Sequence, residues 1–375
     1  MIQLTEYQPT TVDLTRDEAT ELTALTKGGT TGRGQPRVIE RLSVNGDAWD
    51  VTPGPYAGRF RLRSGRTIDI ASRFAFPDLA RLLGLGRKAT LLREPATAAT
   101  GGTGLMDLIA LAFIREAERV IGQGLEKGYR QQTFARPPYA GIPVATAHLD
   151  IHAARPDRLV TTARRLTTDI PVNRLVAAAH RKLTKLPYQD KDLSMRLQAL
   201  WPSLRQITPA ASPPAPIPQV PTRYRNIHDL ALLILDARTS LPTGAGIAGV
   251  AVLFNMTRIW ETYVENWLGA RIDADDLLHA QHRIPLTDND PSWEGRADFV
   301  VESQGRPSAV YDAKYRRWRR RPETRELYQL LAYTQRLGAT YAALLHPATS
   351  ADKATFSIGG TTIETIAIDI TRDSR

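Results

Sequence analysis

Residues 296–315, RADFVVESQGRPSAVYDAKY, hold two runs of apolar and β-branched residues on either side of Ser303-Gln304-Gly305-Arg306-Pro307. Runs of that composition interrupted by Gly and Pro predict a β-hairpin. Side chains two apart on a strand share a face, so Asp312 and Lys314 lie side by side while Tyr311 and Ala313 point the other way. Pairing Glu302 with Ser308 across a five-residue loop, a common hairpin length, sets Asp298 opposite Asp312 on that same face. Two carboxylates and one ammonium then meet.

That grouping suits one kind of chemistry. Mg²⁺ is a hard cation that takes oxygen ligands and keeps several waters, and Mn²⁺ is able to substitute for it. Such an ion acidifies a bound water and neutralises charge on a phosphate under attack. Lys314 would orient the water as a fixed donor. The competing reading of Asp-x-Lys is a surface ion pair on an edge strand, and the residues alone leave both open.

Working outward, Glu261 in FNMTRIWETYVENWL (254–268) could add a third carboxylate, giving the metal set Asp298, Asp312 and Glu261; Glu265, one turn on, competes for the role. Downstream, Pro322-Glu323 and Gly338 bracket a helix. Gln329 and Tyr333, four apart, share one face of it. Gln329 is expected to support the site, and Tyr333 either to touch substrate or to be core. Between strand and helix, Arg316, Arg317, Arg319, Arg320 and Arg321 surround Trp318. Guanidiniums so placed bind backbone phosphates regardless of sequence, and Trp318 would stack on a base or anchor the loop.

The whole chain agrees with a polyanionic partner. Lys and Arg outnumber Asp and Glu by 49 to 39 over 375 residues, a net charge of +10, which favours nucleic acid first and an anionic membrane second. With no cysteine, disulfides, thiolate metal sites and cysteine nucleophiles are excluded. His279 and His282 are read as loop residues. No opening basic-then-apolar run marks a signal peptide, and no stretch nears the roughly 20 apolar residues of a membrane helix, so a cytoplasmic protein is expected. Gly84-Leu85-Gly86-Arg87-Lys88 lacks the spacing of a phosphate loop. Any nucleotide-driven step must come from another chain.

Three consecutive segments are expected. Residues 1–100 read as β-rich, with Thr15 and Glu18 forming a capping box, a Gly/Thr-rich loop at 26–37, and a hairpin in GRFRLRSGRTIDIA (58–71) with an apolar and a strongly basic face. Residues 101–222 read as mainly helical, at 103–135, 171–186 and 191–202, closing on the proline-dense connector 207–222. Residues 223–375 add helices at 226–241 and 247–268 before the hairpin.

Several of these motifs together resemble the McrC family, the nuclease subunits of McrBC modification-dependent restriction systems. They are LTEYQPTTVDLT, TIDIASRF, GLEKGY, DIPVNRLVAAAHRKL, FNMTRIWETYVENWL, RADFVV, VYDAKY and YQLLAY. The resemblance implies an α/β, multi-domain (α+β) architecture: an N-terminal β-rich docking domain, a helical middle and a C-terminal PD-(D/E)xK restriction-endonuclease-like fold. It implies that Asp298, Asp312 and Lys314 are catalytic, with Glu261 and Gln329, and that double-stranded, modified DNA is the substrate. It further implies a hexameric, GTP-hydrolysing AAA+ partner of the McrB kind, which recognises 5-methylcytosine. Ala297 departs from the proline usual before the first aspartate, and Asp312 stands where Glu is common. Two rivals remain: a repair-type nuclease working with a helicase, and a non-catalytic activator or DNA-binding subunit.

Overall fold

Alternation of apolar and polar residues builds the first sheet. The N-terminal elements are β1 (Ile2–Thr5), β2 (Thr10–Val12), α1 (Arg16–Thr26), β3 (Ile39–Asn45), β4 (Ala48–Pro53), β5 (Tyr56–Arg61) and β6 (Thr67–Ala71). The computed structural model describes residues 1–26, 36–74, 78, 82, 104–152, 155, 157–188, 190–211, 214–237, 251–290 and 292–371. Most of the Gly/Thr-rich loop at 26–37, and all of 84–88, lie outside them. α1 starts where the capping box requires: Glu18 N donates to Thr15 Oγ1 at 3.2 Å, and Thr15 N donates to Glu18 Oε2 at 3.1 Å. Ile2, Leu4, Phe60, Leu62, Ile68 and Ile70 share a core with Leu22 and Leu25 of α1.

The 58–71 hairpin forms with Arg61 and Arg63 exposed, but Arg59 does not share in an open basic face. Arg59 pairs with Asp69 across the ladder, their side chains are 0% and 2% exposed, and Arg59 Nη2 lies 3.0 Å from Asp69 Oδ2. Both faces of β5 are covered, so the arginine that would have met solvent or DNA meets an aspartate instead.

The middle elements are α2 (Leu105–Gly122), β7 (Gly128–Phe134), β8 (Ile142–Pro143), α3 (Ala145–His152), β9 (Thr161–Thr167), α4 (Pro171–Leu183), α5 (Lys191–Ala199), α6 (Trp201–Leu204) and α7 (Arg225–Asp236). The helix expected over 103–135 stops at Gly122, and Gly128–Phe134 becomes a strand paired with β9. The motifs GLEKGY and DIPVNRL meet at buried Asn173. Its Nδ2 donates to Glu126 O at 2.9 Å and Thr168 O at 2.7 Å, while its Oδ1 accepts from Tyr224 at 2.7 Å. Asp169 takes Arg174 at 2.7 Å and Arg130 at 2.6 Å. Those partners, the Arg174 hydrogen bonds foremost, hold its carboxyl down at about 2.

The remaining elements are β10 (Ala251–Asn255), α8 (Met256–Gly269), β11 (Leu277–Pro285), β12 (Glu294–Ser303), β13 (Arg306–Ala313), α9 (Thr324–Leu337), β14 (Tyr341–Ala348), β15 (Asp352–Ile358) and β16 (Thr361–Asp369). The helix expected from 247 begins only at Met256. Ala251–Asn255 instead pairs antiparallel with β5, completing a four-stranded sheet ordered β1-β6-β5-β10. Gly58 permits the approach: with φ +137°, a Cβ there would stand 2.2 Å from Val252 O. By compactness the chain therefore forms two units, Met1–Met106 with Arg238–Arg375, and Asp107–Ala237, rather than three consecutive ones.

The largest sheet has six strands, ordered β11-β12-β13-β14-β16-β15. β13, β14 and β16 run parallel and the other pairs antiparallel. α9 crosses from β13 to β14 and buries Leu330 and Tyr333 against Ile284, Val300, Val310, Leu344 and Ile363. Truncating such a leucine to alanine costs about 2–5 kcal/mol. The helix has the ends its sequence signals. Glu323 and Glu326 form a reciprocal cap, and Gly338 closes it at φ 70°.

Candidate active site

The hairpin that carries the acidic residues turns more tightly than expected. Ser303 pairs with Arg306, so only Gln304 and Gly305 turn, both at positive φ (54° and 76°), the geometry two-residue hairpins favour. A bulge between Val301 and Glu302 then restores the register, giving Val301↔Ala309, Val300↔Val310 and Phe299↔Tyr311. One step further along this ladder, Asp298 faces Asp312. A bulge that re-aims side chains is a common device beside a site.

Asp312 is 4% exposed, and its Oδ2 lies 2.5 Å from Lys314 Nζ. Asp298 Oδ2 accepts from Ala313 N at 2.8 Å, so the first acid is fixed by the backbone between the second acid and the lysine. Lys314 N donates to Leu345 O at 2.9 Å. The same carbonyl accepts from Trp260 Nε1 at 3.1 Å. Trp260 sits on α8 directly before Glu261, so one carbonyl of β14 positions both the lysine and the helix that bears the third carboxyl.

Burial raises the Asp298 carboxyl first, and repulsion from Asp312 adds to it; the Ala313 N–H opposes, and Glu261 pushes further up, to about 8. Burial likewise raises Glu261, with Arg296 opposing and Asp312 reinforcing the rise. For Lys314, burial acts to lower the pKa, but Asp312 and Asp298 outweigh it and the net shift is upward. Lys314 and Arg296 thus face three carboxyls, and burial keeps Asp298 and Glu261 raised despite them.

Mg²⁺ is held by one or two carboxylates plus waters and substrate oxygens, and the pair Asp298 and Asp312 fits that pattern. Among the described residues no three His, Asp or Glu side chains converge closely enough to hold an ion. Glu261 therefore influences the pair electrostatically without completing a three-carboxylate cluster with it. Glu265 is exposed and is not brought to the group.

The remaining expected residues divide. Gln329 Nε2 donates to Tyr333 OH at 3.4 Å, and Arg296 N donates to that hydroxyl at 3.3 Å. Tyr333, expected as a DNA contact, is 8% exposed and packs over Gly295, where a Cβ would stand 2.4 Å from its ring. Its other reading, core, describes where it lies. Arg316 is committed inside the chain, with Nη1 on Glu323 at 2.6 Å and Nη2 on Glu326. Arg317, Arg319, Arg320 and Arg321 are exposed and Trp318 is half-buried. His279 and His282 stand on β11, not in a loop, and His279 Nε2 is 3.0 Å from Glu302.

Sequence reading missed Trp260 and Arg296. Arg296 lies two residues before Asp298 on one strand face, a spacing visible in Arg-Ala-Asp; nothing in the sequence announces the Leu345 carbonyl.

The sequence profile of the family described as McrBC 5-methylcytosine restriction system component matches residues 51–347. The chain belongs to that family. Comparison with curated proteins gives no match. Among solved structures, the chain is similar to a chain of the refined half-complex from the tetradecameric assembly of Thermococcus gammatolerans McrB AAA+ hexamers with bound McrC. There the TM-score is 0.59 at 15% identity, covering 98% of this chain and 94% of that one. A chain of the Thermococcus gammatolerans McrBC complex aligns at TM-score 0.43 and 14% identity, over 72% and 87%. The first likeness establishes a related multi-domain α/β architecture. No helix among the described residues is long and apolar enough to cross a membrane.

Proposed function

We propose that the chain is the DNA-cleaving subunit of a McrBC-like modification-dependent (type IV) restriction system, an endodeoxyribonuclease whose six-stranded sheet with α8 and α9 is a PD-(D/E)xK domain. The observation that carries this reading is the convergence of Asp298, Asp312 and Lys314, with the Asp298 carboxyl raised by burial and by its neighbour Asp312. Family membership supports the restriction setting.

Asp298 and Asp312 would hold Mg²⁺, or Mn²⁺ in its place, which when bound would supply charge neutralisation at the scissile phosphate and a more acidic water. Asp298, raised by burial and by Asp312, would be the carboxyl most affected by a cation held there. Lys314, kept protonated by Asp312, is a fixed donor toward developing negative charge. Glu261 keeps the local potential negative, and Gln329 braces the Tyr333 hydroxyl beneath β12. Arg317, Arg319, Arg320 and Arg321 contact backbone phosphates of double-stranded DNA. The N-terminal segment, residues 1–100, docks on a hexameric AAA+ motor and stimulates its hydrolysis of GTP, and the motor selects DNA carrying 5-methylcytosine.

The Lys314–Asp312 pair and the lack of a three-carboxylate cluster among the described residues favour a second reading, a non-catalytic activator on a nuclease scaffold. Incubating methylated and unmethylated plasmid with Mg²⁺, with and without the motor and nucleotide, separates the two. Cleavage that requires motor, nucleotide and an intact Asp312 supports the nuclease. Stimulated nucleotide hydrolysis without any cleavage supports the activator. Cleavage by this chain alone, still abolished by Asp312→Asn, points to a repair-type nuclease instead.

A further inference from the structure

A cavity of about 410 Å³ opens beside the basic loop, bordered by Glu6, Tyr7 and Arg73 on one side and Arg316, Arg317 and Arg319 on the other. It is larger than a lone phosphate fills and within the range of small-ligand pockets. Both sides belong to the same compact unit.

The Arg73 guanidinium lies among three rings, 4.6 Å from the centroid of Tyr315, 4.8 Å from Phe74 and 5.7 Å from Tyr7. Stacking by its faces leaves an arginine its in-plane N–H edge for planar anions. Nε and Nη2 of Arg73 are buried and have no partner among the described residues; the same holds for Arg316 Nε and Trp318 Nε1. Buried donors without acceptors are rare. Here three of the four belong to cations, so the missing partner is an acceptor with negative charge.

Glu6 does not fill that role. Its Oε1 is occupied by Ser72 Oγ at 2.7 Å, Arg73 N at 2.8 Å and Tyr315 OH at 2.8 Å, and its Oε2 is unpartnered. Burial, the largest influence on it, pushes the carboxyl toward its neutral form. Tyr7 adds a second kind of observation. It holds φ +60°, a conformation that costs a non-glycine residue and gathers at ligand clamps. It is fixed there by its N–H on Pro53 O at 3.0 Å and its hydroxyl on Tyr315 O at 3.2 Å.

We propose that this pocket binds a phosphate with its attached nucleoside, held by Arg73 with Arg317 and Arg319, and that its source is the DNA strand entering the Asp298–Asp312 centre. Arg316 borders the pocket and stands two residues after Lys314 in the chain. The choice of DNA as source rests on the nuclease reading; the phosphate chemistry does not. The N-terminal segment then shares in holding DNA as well as in docking.

The test is a binding measurement on the full chain carrying Asp312→Asn, in EDTA, so that nothing is cut. Labelled duplex is followed by fluorescence anisotropy across a salt series, and deoxythymidine 5′-monophosphate and inorganic phosphate are titrated by calorimetry. Arg73→Gln is compared with Arg319→Gln, whose exposed position guards against a folding defect, and melting curves accompany both. Each variant is expected to weaken duplex binding about tenfold and to reduce the salt slope by about 0.9, the loss of one phosphate contact. Duplex binding unchanged in both variants overturns the proposal. Monophosphate binding that depends on Arg73, with duplex binding unaffected, overturns it in favour of a diffusible nucleotide. If wild-type cleavage proves indifferent to Asp312, the nuclease reading falls, while the anisotropy result still decides whether the pocket holds DNA.

Discussion

Two places in this protein bury carboxylates, and they balance them differently. In the four-stranded sheet Asp69 faces Arg59, one acid to one base, both sealed from solvent. At the six-stranded sheet Asp298 and Asp312, with Glu261 on α8 beside them, face Lys314 and Arg296. The first arrangement matches its charges within the sheet. The second buries Asp298 beside Asp312 at low dielectric, where the group must hold a proton or recruit a cation. One chain thus carries a pair of opposite charges in one sheet and a crowded group of carboxyls at the other.

The comparison breaks most sharply at the matched pair. Arg59→Met removes the cation Asp69 faces, and truncating one partner of a buried pair costs about 3–5 kcal/mol. Chemical denaturation should show that loss; a change within ordinary surface scatter would mean the pair is not the matched unit described. At the crowded group of carboxyls the same kind of change should fall on chemistry instead. Asp312→Asn and Lys314→Ala are each expected to reduce cleavage by roughly 10²–10³-fold with the melting transition kept. Retained cleavage in either would remove that residue from the reaction.

A pH series sharpens the contrast. Asp298 titrates near 8 in the fold against about 3.9 in an unfolded chain. Between those values the folded chain carries the extra proton, so metal-free stability falls as pH rises from about 4 to about 8. Asp298→Asn abolishes that dependence. In EDTA its melting temperature should exceed the wild type at pH 8.5, by roughly 2–4 °C for each kcal/mol of repulsion removed, and the gap should close toward pH 4. A gap that stays constant with pH would show that the carboxyl is not held protonated. The smallest effect belongs to a local device: Thr15→Ala deletes the cap on Glu18 N and should cost about 1 kcal/mol, with cleavage untouched.

What the sequence made readable was local. Thr15 with Glu18, Glu323 with Gly338, and the period-two spacing of Asp312 and Lys314 each state their geometry within a few residues. The facing of Asp298 and Asp312 was also reached, though through an assumed five-residue loop; a two-residue turn and one bulge give the same offset. Non-local pairing was not readable. Ala251–Asn255 is a short apolar run that continues into a helical pattern, so its period cannot separate strand from helix, and only its partner β5 decides. Arg59 looked solvent-facing because its counter-charge, Asp69, stands ten residues on, visible only once the hairpin register is known. The Leu345 carbonyl that fixes both Trp260 and Lys314 is backbone, and no side-chain pattern encodes it.

The junction of β10 and α8 has a mechanical meaning. Strand and helix are consecutive, Asn255 to Met256. Asn255 Oδ1 caps the helix through Thr257 N at 3.1 Å and Arg258 N at 3.2 Å, while Met256 N is tied to Pro55 O at 2.9 Å. There is no slack at this joint. The four-stranded sheet therefore sets where α8 begins, and with it the height at which Glu261 stands beside the acidic pair, about one and a half turns into the helix.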